Sequence, residues 1–356
     1  MGYHYPSTKC EEETTMKIST IGLDLAKNVF HVVGFDQDGK QVKKLMLRRH
    51  QVAEFFVNLP TCTVAMEACA GCHYWARKLM EMGHDVKVIP PQYVKAYLRG
   101  NKNDYNDACA IAEAATRPTM PNVAVKTVQQ QEMQALHRLR SRMVKERTAL
   151  GNSLRGLLAE FGLIMPQGVS ALRRGIPAIL EDADNGLSDL FRSVVARSYE
   201  HFVALDEQID FYTQQLSQLS RSDEACVRLQ TIPGFGPIVA SAFRSAIGDG
   251  RDYKRGRDVS ASIGLVPRQH SSGGKQNLLG ISKRGDRYLR SLLVHGARAV
   301  VAYAAGKDDP LSRWINRIRL ERGANKAAVA LANKMARIGW AILRNGSRYQ
   351  SSQAAS

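Results

Sequence analysis

The stretch TIGLDLAKNVFHVVGFDQDGKQVKKLMLRR, residues 20–49, decides the fold. Apolar and polar residues alternate along it in short runs rich in β-branched and aromatic side chains, and Asp36-Gln37-Asp38-Gly39 supplies turn chemistry between two of the runs. The pattern predicts three strands, 20–25, 30–35 and 42–48, joined as an antiparallel meander. Further along, a short helix near 52–58 precedes TVAME (63–67) as a buried strand. A helix over 73–82, VKVIP (86–90) as another strand and a helix opening at Asp104 follow. Three antiparallel strands succeeded by alternating helix and strand make a layered α/β domain, placed at residues 16–125. The fifteen residues before it have no periodicity and read as a disordered tail.

After this domain the period changes. Met133, Leu136, Leu139, Met143, Leu150 and Leu154 fall at helical spacing with charges between them, predicting one long amphipathic helix over 129–161. A looser stretch punctuated by Gly and Pro leads to a second, over 187–219. The two are expected to pair as an antiparallel hairpin, a coiled-coil linker across 126–225 that serves either as a core-facing pair or as a dimerising arm. From Cys226 helices alternate with basic loops in a mainly helical domain reaching residue 346, and 347–356 read as a second disordered tail.

Charge is distributed unevenly. The chain of 356 residues carries a formal +17, and residues 226–356 alone hold 23 Lys and Arg against 7 Asp and Glu. A last third with that excess is built to meet a polyanion, nucleic acid first. The cations are spread over many elements and do not form one short amphipathic helix, which argues against a membrane surface. Neither a bilayer-spanning apolar run nor a signal-like segment is visible, so the expected location is the cytoplasm. Its six cysteines are then expected to be reduced.

NKNDYNDACAIAEA, residues 101–114, puts Asp104 and Asp107 three apart at a helix start. Neighbouring carboxylates there repel by a few tenths of a kcal/mol unless a cation sits between them; alternatively the helix dipole accepts both, with Asp104 as cap. Asp24 ends the first strand and Glu67 the fourth, and four acids on these elements can converge at one sheet edge. Octahedral, oxygen-loving divalent ions use such sites, and two of them about 4 Å apart promote phosphodiester cleavage.

Three further motifs invite chemistry. CAGCH (69–73) matches a haem-attachment or redox spacing, but it falls where the sheet hands over to a helix, and packing accounts for it. LQTIPGFGPIVASAF (229–243) places Gly234 and Gly236 between two short helices, like a helix-hairpin-helix element whose glycines let a phosphate approach the backbone. RQHSSGGKQ (268–276) sets two hydroxyls beside two glycines and two cations. Serine attacks phosphorus only when a base, a metal or a cationic site activates it.

The order Asp24, Glu67, Asp104, Asp107 on these elements resembles the DEDD active site of RuvC-like nucleases of the ribonuclease H fold. More narrowly, GLDLAKNVFHV, MEACAGCHYWAR, NKNDYNDA and GLVPRQHSSGGKQNLLGISKRGDRYLR together resemble the DEDD transposases of insertion-sequence family one-ten, the bridge-RNA-guided recombinases, over residues 16–349. The resemblance implies a RuvC-like N-terminal domain whose four acids are catalytic and hold Mg2+ or Mn2+. It also implies a serine-bearing C-terminal domain whose nucleophile becomes joined to DNA. Ser272 is the preferred match for that serine, and Ser271 stays open. Arg268, Lys275, Lys283, Arg284, Arg287 and Arg290, together with Gly234 and Gly236, are then expected at nucleic-acid phosphates. The implied partners are donor and target DNA, an element-encoded bridge RNA and further copies of the chain, as a dimer or tetramer. The implied reaction is phosphodiester transesterification during transposition. Two rivals remain: a metal-dependent Holliday-junction-type DNA endonuclease with no covalent intermediate, and a catalytically silent nucleic-acid scaffold. An actin-like ATPase would need a second glycine-rich phosphate loop, which does not follow.

Overall fold

The computed structural model describes residues 17–350 except Lys102 and Gly274, and of Ser272 it describes the backbone alone. The tail expected at 1–15 and residues 351–356 of the other lie outside the described residues. The chain divides into two compact units, Met1–Thr127 and Val128–Ser356.

The first unit runs β1 (Thr20–Leu25), β2 (Val29–Phe35), β3 (Gln41–Arg48), α1 (Val52–Val57), β4 (Thr63–Glu67), α2 (Cys72–Glu81), β5 (Asp85–Ile89), α3 (Pro91–Val94) and α4 (Asp104–Ala115). The strands form one mixed sheet in the order β3-β2-β1-β4-β5. β1, β2 and β3 pair antiparallel, whereas β4 and β5 run parallel to β1. The turn that reverses β2 into β3 is fixed by Asp36, whose Oδ1 accepts from the backbone N–H of Asp38 at 3.0 Å and of Lys40 at 2.8 Å.

Alternation along β1 and β4 sorts side chains between two layers. Ile21 and Leu23 of β1 and Val64 and Met66 of β4 enter the core beneath α2, where the Trp75 and Phe30 rings meet edge to face at 5.2 Å. The opposite face carries Gly22 and Ala65, and their small size lets α4 lie on the sheet. A Cβ at Gly22 would stand 1.9 Å from the carbonyl oxygen of Ala108.

In the second unit α5 (Val128–Ala159) and α7 (Asp189–Ser222) pack antiparallel, since Arg140 donates to Thr213 at 2.7 Å while Arg147 pairs with Asp206 and Glu146 with His201. The stretch expected to be irregular between them contains a helix, α6 (Val169–Glu181), with Pro177 inside it. A proline there cannot donate to the carbonyl of Arg173, and the Tyr199 hydroxyl of α7 donates to that carbonyl instead, at 3.0 Å. Tertiary satisfaction thus overrides a local break signal.

The remainder comprises α8 (Glu224–Leu229), α9 (Pro237–Ile247), α10 (Gly256–Ser262), β6 (Pro267–Ser272), β7 (Lys275–Ile281), α11 (Arg287–Ala302), α12 (Pro310–Arg322) and α13 (Ala324–Asn345). Ala328, Leu331, Ala332, Met335 and Ala336 of α13 form a buried stripe at the centre of this unit's main core. The serine-bearing stretch within 268–276 belongs to a β-hairpin, with the Ser272 backbone paired to Lys275. Among the described residues no helix is long and apolar enough to cross a membrane.

Candidate active site

The two-residue period of the sheet sets the direction of Asp24 and Glu67. Asp24 follows Gly22 on the same face of β1, and Glu67 follows Ala65 on the same face of the neighbouring strand. This is the face that α4 covers, so both acids look toward the helix. Asn103, not Asp104, caps α4: its side chain accepts from the backbone N–H of Tyr105 at 2.9 Å. Asp104 and Asp107 are therefore left in the first turn with no capping duty.

Their charges meet at Asp24. Burial first, then Asp107, Asp104 and Glu67, push its carboxyl up from 3.8 to about 6, with His31 pulling the other way. Glu67 is raised as well, by burial and by Asp107. Hard oxygen donors that repel one another fit a divalent cation in chemistry. Yet among the described residues no three His, Cys, Asp or Glu side chains are drawn into an array ready to hold one.

Sequence reasoning misses His31. It faces Asp24 across the β1–β2 pairing, with its Nδ1 3.6 Å from Asp104 Oδ2 and its ring edge-on to Tyr105 at 4.7 Å. The signal is present in FHV, but it becomes readable only once the strand register is known.

The Cys69 thiol is pushed up to about 11 by burial, Cys72, Glu67 and Asp24, and the Cys72 thiol is raised by burial. Both are held as neutral thiols, the opposite of a poised redox pair. Cys72 starts α2 and is buried in the core beneath that helix.

In the second unit Gly234 has φ +86°, and a Cβ there would lie 2.8 Å from the carbonyl oxygen of Gly296 on α11. Close backbone packing thus accounts for this glycine, whereas Gly236 is exposed at the N-terminus of α9 with Pro237 behind it. Arg268, Lys275, Lys283, Arg284 and Arg287 are exposed. Arg290 is instead engaged within the fold, donating to the carbonyls of Ile263 at 2.7 Å and Arg284 at 3.0 Å. Lys283, with φ +56°, is the one non-glycine in the left-handed region among the described residues. Its segment is locked against α10: a Cβ at Gly285 would meet the Ser262 carbonyl oxygen at 1.7 Å. The exposed Ser271 accepts from Gln269 Nε2 at 2.8 Å. Of Ser272 the backbone ends β6, and its side chain lies outside the described residues.

Residues 21–162 match a family profile of DEDD transposases described as "Transposase", and residues 226–309 match one described as "Transposase IS116/IS110/IS902 family". The chain is 48% identical over 336 residues to a probable family 20 transposase of Pseudomonas aeruginosa, covering 94% of this chain and 99% of that one. It is 44% identical over 351 residues to the transposase for insertion sequence element IS1111A of Coxiella burnetii, covering 98% and 96%. With the transposase for IS1328 of Yersinia enterocolitica it shares 41% identity over 329 residues, covering 92% and 98%. Matches of this length and identity make the chain a member of the IS116/IS110/IS902 transposase family and a DNA transposase of an insertion sequence.

Proposed function

We propose that this transposase cuts and rejoins DNA by transesterification through a serine ester, with Asp24, Glu67, Asp104 and Asp107 as ligands for Mg2+ or Mn2+ and Ser272 as nucleophile. The first unit is then a ribonuclease H-like, RuvC-like domain over 16–125, followed by a helical linker over 126–225 and a basic transposase domain over 226–346. The observation that supports the reading is the charge felt at Asp24, whose carboxyl is raised by burial and by Asp107, Asp104 and Glu67 where Gly22 and Ala65 let α4 settle on the sheet. The strand order β3-β2-β1-β4-β5, with a three-stranded antiparallel meander beside a parallel half, supports the fold assignment.

Divalent ions bound by these carboxylates would supply positive charge against the scissile phosphate and its leaving oxygen. Ser272 Oγ forms a bond to phosphorus as the bond from phosphorus to the deoxyribose oxygen breaks, and the serine proton ends on that departing oxygen. Attack by a new strand's hydroxyl on the phosphoserine reverses these changes and releases the serine. The exposed cations near the hairpin hold strands in place, and target and donor are selected by pairing with an element-encoded RNA, by analogy with other guided systems.

The test uses the full-length chain, labelled donor and target DNA and the element's RNA. Protein covalently attached to labelled DNA in Mg2+, absent for Asp104→Asn and Asp107→Asn, is the expected result. Cleavage without attachment would favour a Holliday-junction-type endonuclease, and loss of RNA dependence would remove guidance from the account.

A further inference from the structure

The groove between β7, α12 and α13 has no part in the chemistry above. It encloses about 1220 Å3. Its apolar wall includes Leu278 and Leu279 of β7, which are 61% and 41% exposed, and Trp314 of α12. Leucines so exposed on a hairpin lose hydration free energy that a bound apolar surface would recover. The same lining carries Arg317, Arg322, Lys326, Lys334 and Arg337, and Glu321 is its one acid among the described residues. None of these five cations takes part in an ion pair among the described residues. The Lys334 ammonium lies 5.1 Å from the Trp314 ring centroid, which places positive charge directly beside the aromatic surface.

Cations that line one groove together with apolar and aromatic side chains match a polyanion that also presents flat apolar faces. Duplex DNA offers the charge but hides its bases, leaving Leu278, Leu279 and Trp314 uncovered. An unpaired strand offers both, with phosphates for the cations and base faces for the rings and leucines. The chain belongs to a family of DNA transposases, so the unpaired strand it meets in its own reaction is DNA. We infer that this groove binds a short unpaired segment of single-stranded DNA. It lies largely on α12 and α13, beyond the span 226–309 matched by the second family profile, and it does not depend on the metal or serine assignments.

The experiment uses the full-length protein and a twelve-nucleotide thymidine-rich strand carrying 5-iododeoxyuridine. Photocrosslinked peptides should map to β7, α12 or α13, with Trp314 as the principal site. In fluorescence anisotropy, Arg322→Gln with Lys326→Gln should weaken the strand about tenfold and lower its salt slope by about 1.4, from two lost phosphate contacts. Leu278→Ser with Leu279→Ser, both on the surface, should weaken the strand about fivefold and a twelve-base-pair duplex less than twofold. Crosslinks only outside the groove would overturn the inference. So would equal weakening of strand and duplex by the leucine changes, tighter binding of the RNA strand, or displacement by polyglutamate at equal charge.

Discussion

Replacing Asp24 by asparagine should stabilise the first unit of the metal-free protein at neutral pH. The wild-type carboxyl titrates near 6 against an ordinary 3.8, because burial and the Asp107, Asp104 and Glu67 charges disfavour its ionised form. Two pK units correspond to ~3 kcal/mol. Asp24 is only half-buried and water screens part of the repulsion, so ~1–2 kcal/mol is the expected gain. The sign follows from proton counting. Between pH 4 and 6 the folded state binds more protons at this site than the unfolded state, so wild-type stability falls as pH rises through that window. Above it the whole cost is present; near pH 4 most of it is gone, and wild type and the Asp24→Asn variant should converge. Peptide-resolved hydrogen exchange over β1 and β4, in EDTA and at both pH values, reads the effect within this unit alone. A destabilised variant at pH 7.5, or a gain undiminished at pH 4, would show that the four acids do not strain one another.

The same cluster should make thermal stability respond to Mg2+: melting shifts upward for wild type and stays flat for Asp104→Asn and Asp107→Asn, as followed by differential scanning fluorimetry. Gly22→Ala drives a Cβ to 1.9 Å from the Ala108 carbonyl oxygen, and soluble yield and β1 exchange protection should both collapse, for a loss of ~3 kcal/mol or more. In the second unit His137 is buried, bonded to Tyr288 at 2.9 Å and Ser241 at 3.0 Å, and burial with nearby Arg140 lowers it from 6.5 to about 4. The unfolded chain then binds more protons between pH 4 and 6.5, so this unit should lose ~3 kcal/mol as pH falls through that window. His137→Gln should flatten that slope in urea titrations.

Local chemistry made part of this legible in the sequence. β1 and β4 could be read to the residue because each is a short apolar run that closes on an acid and is buried on both faces of the sheet. The spacing of the acids was equally readable, since each sits at an element's end. What escaped depended on partners distant in the chain. Gly234 shows only that a backbone needs freedom, and the reason for it, Gly296, arrives 62 residues later. The β6–β7 hairpin leaves even Leu278 and Leu279 exposed, so no burial pattern marked its strands. Pro177 signalled a break that Tyr199 makes unnecessary. His31 needed the β1–β2 register before it could be placed beside Asp24.

The central claim is that a serine of the hairpin carries the DNA, and the most direct test maps the adduct. The full-length protein is trapped on labelled DNA with Mg2+ and the element's RNA, trimmed by nuclease and digested, and the modified peptide is sequenced by mass spectrometry. The account predicts a phosphodeoxynucleotide on Ser272, absent in Ser272→Ala while nucleic-acid binding persists and retained at least in part in Ser271→Ala. A modification on Ser271 would shift the assignment by one residue; a nucleotide on a hydroxyl outside β6, or full recombination by Ser272→Ala, would contradict it.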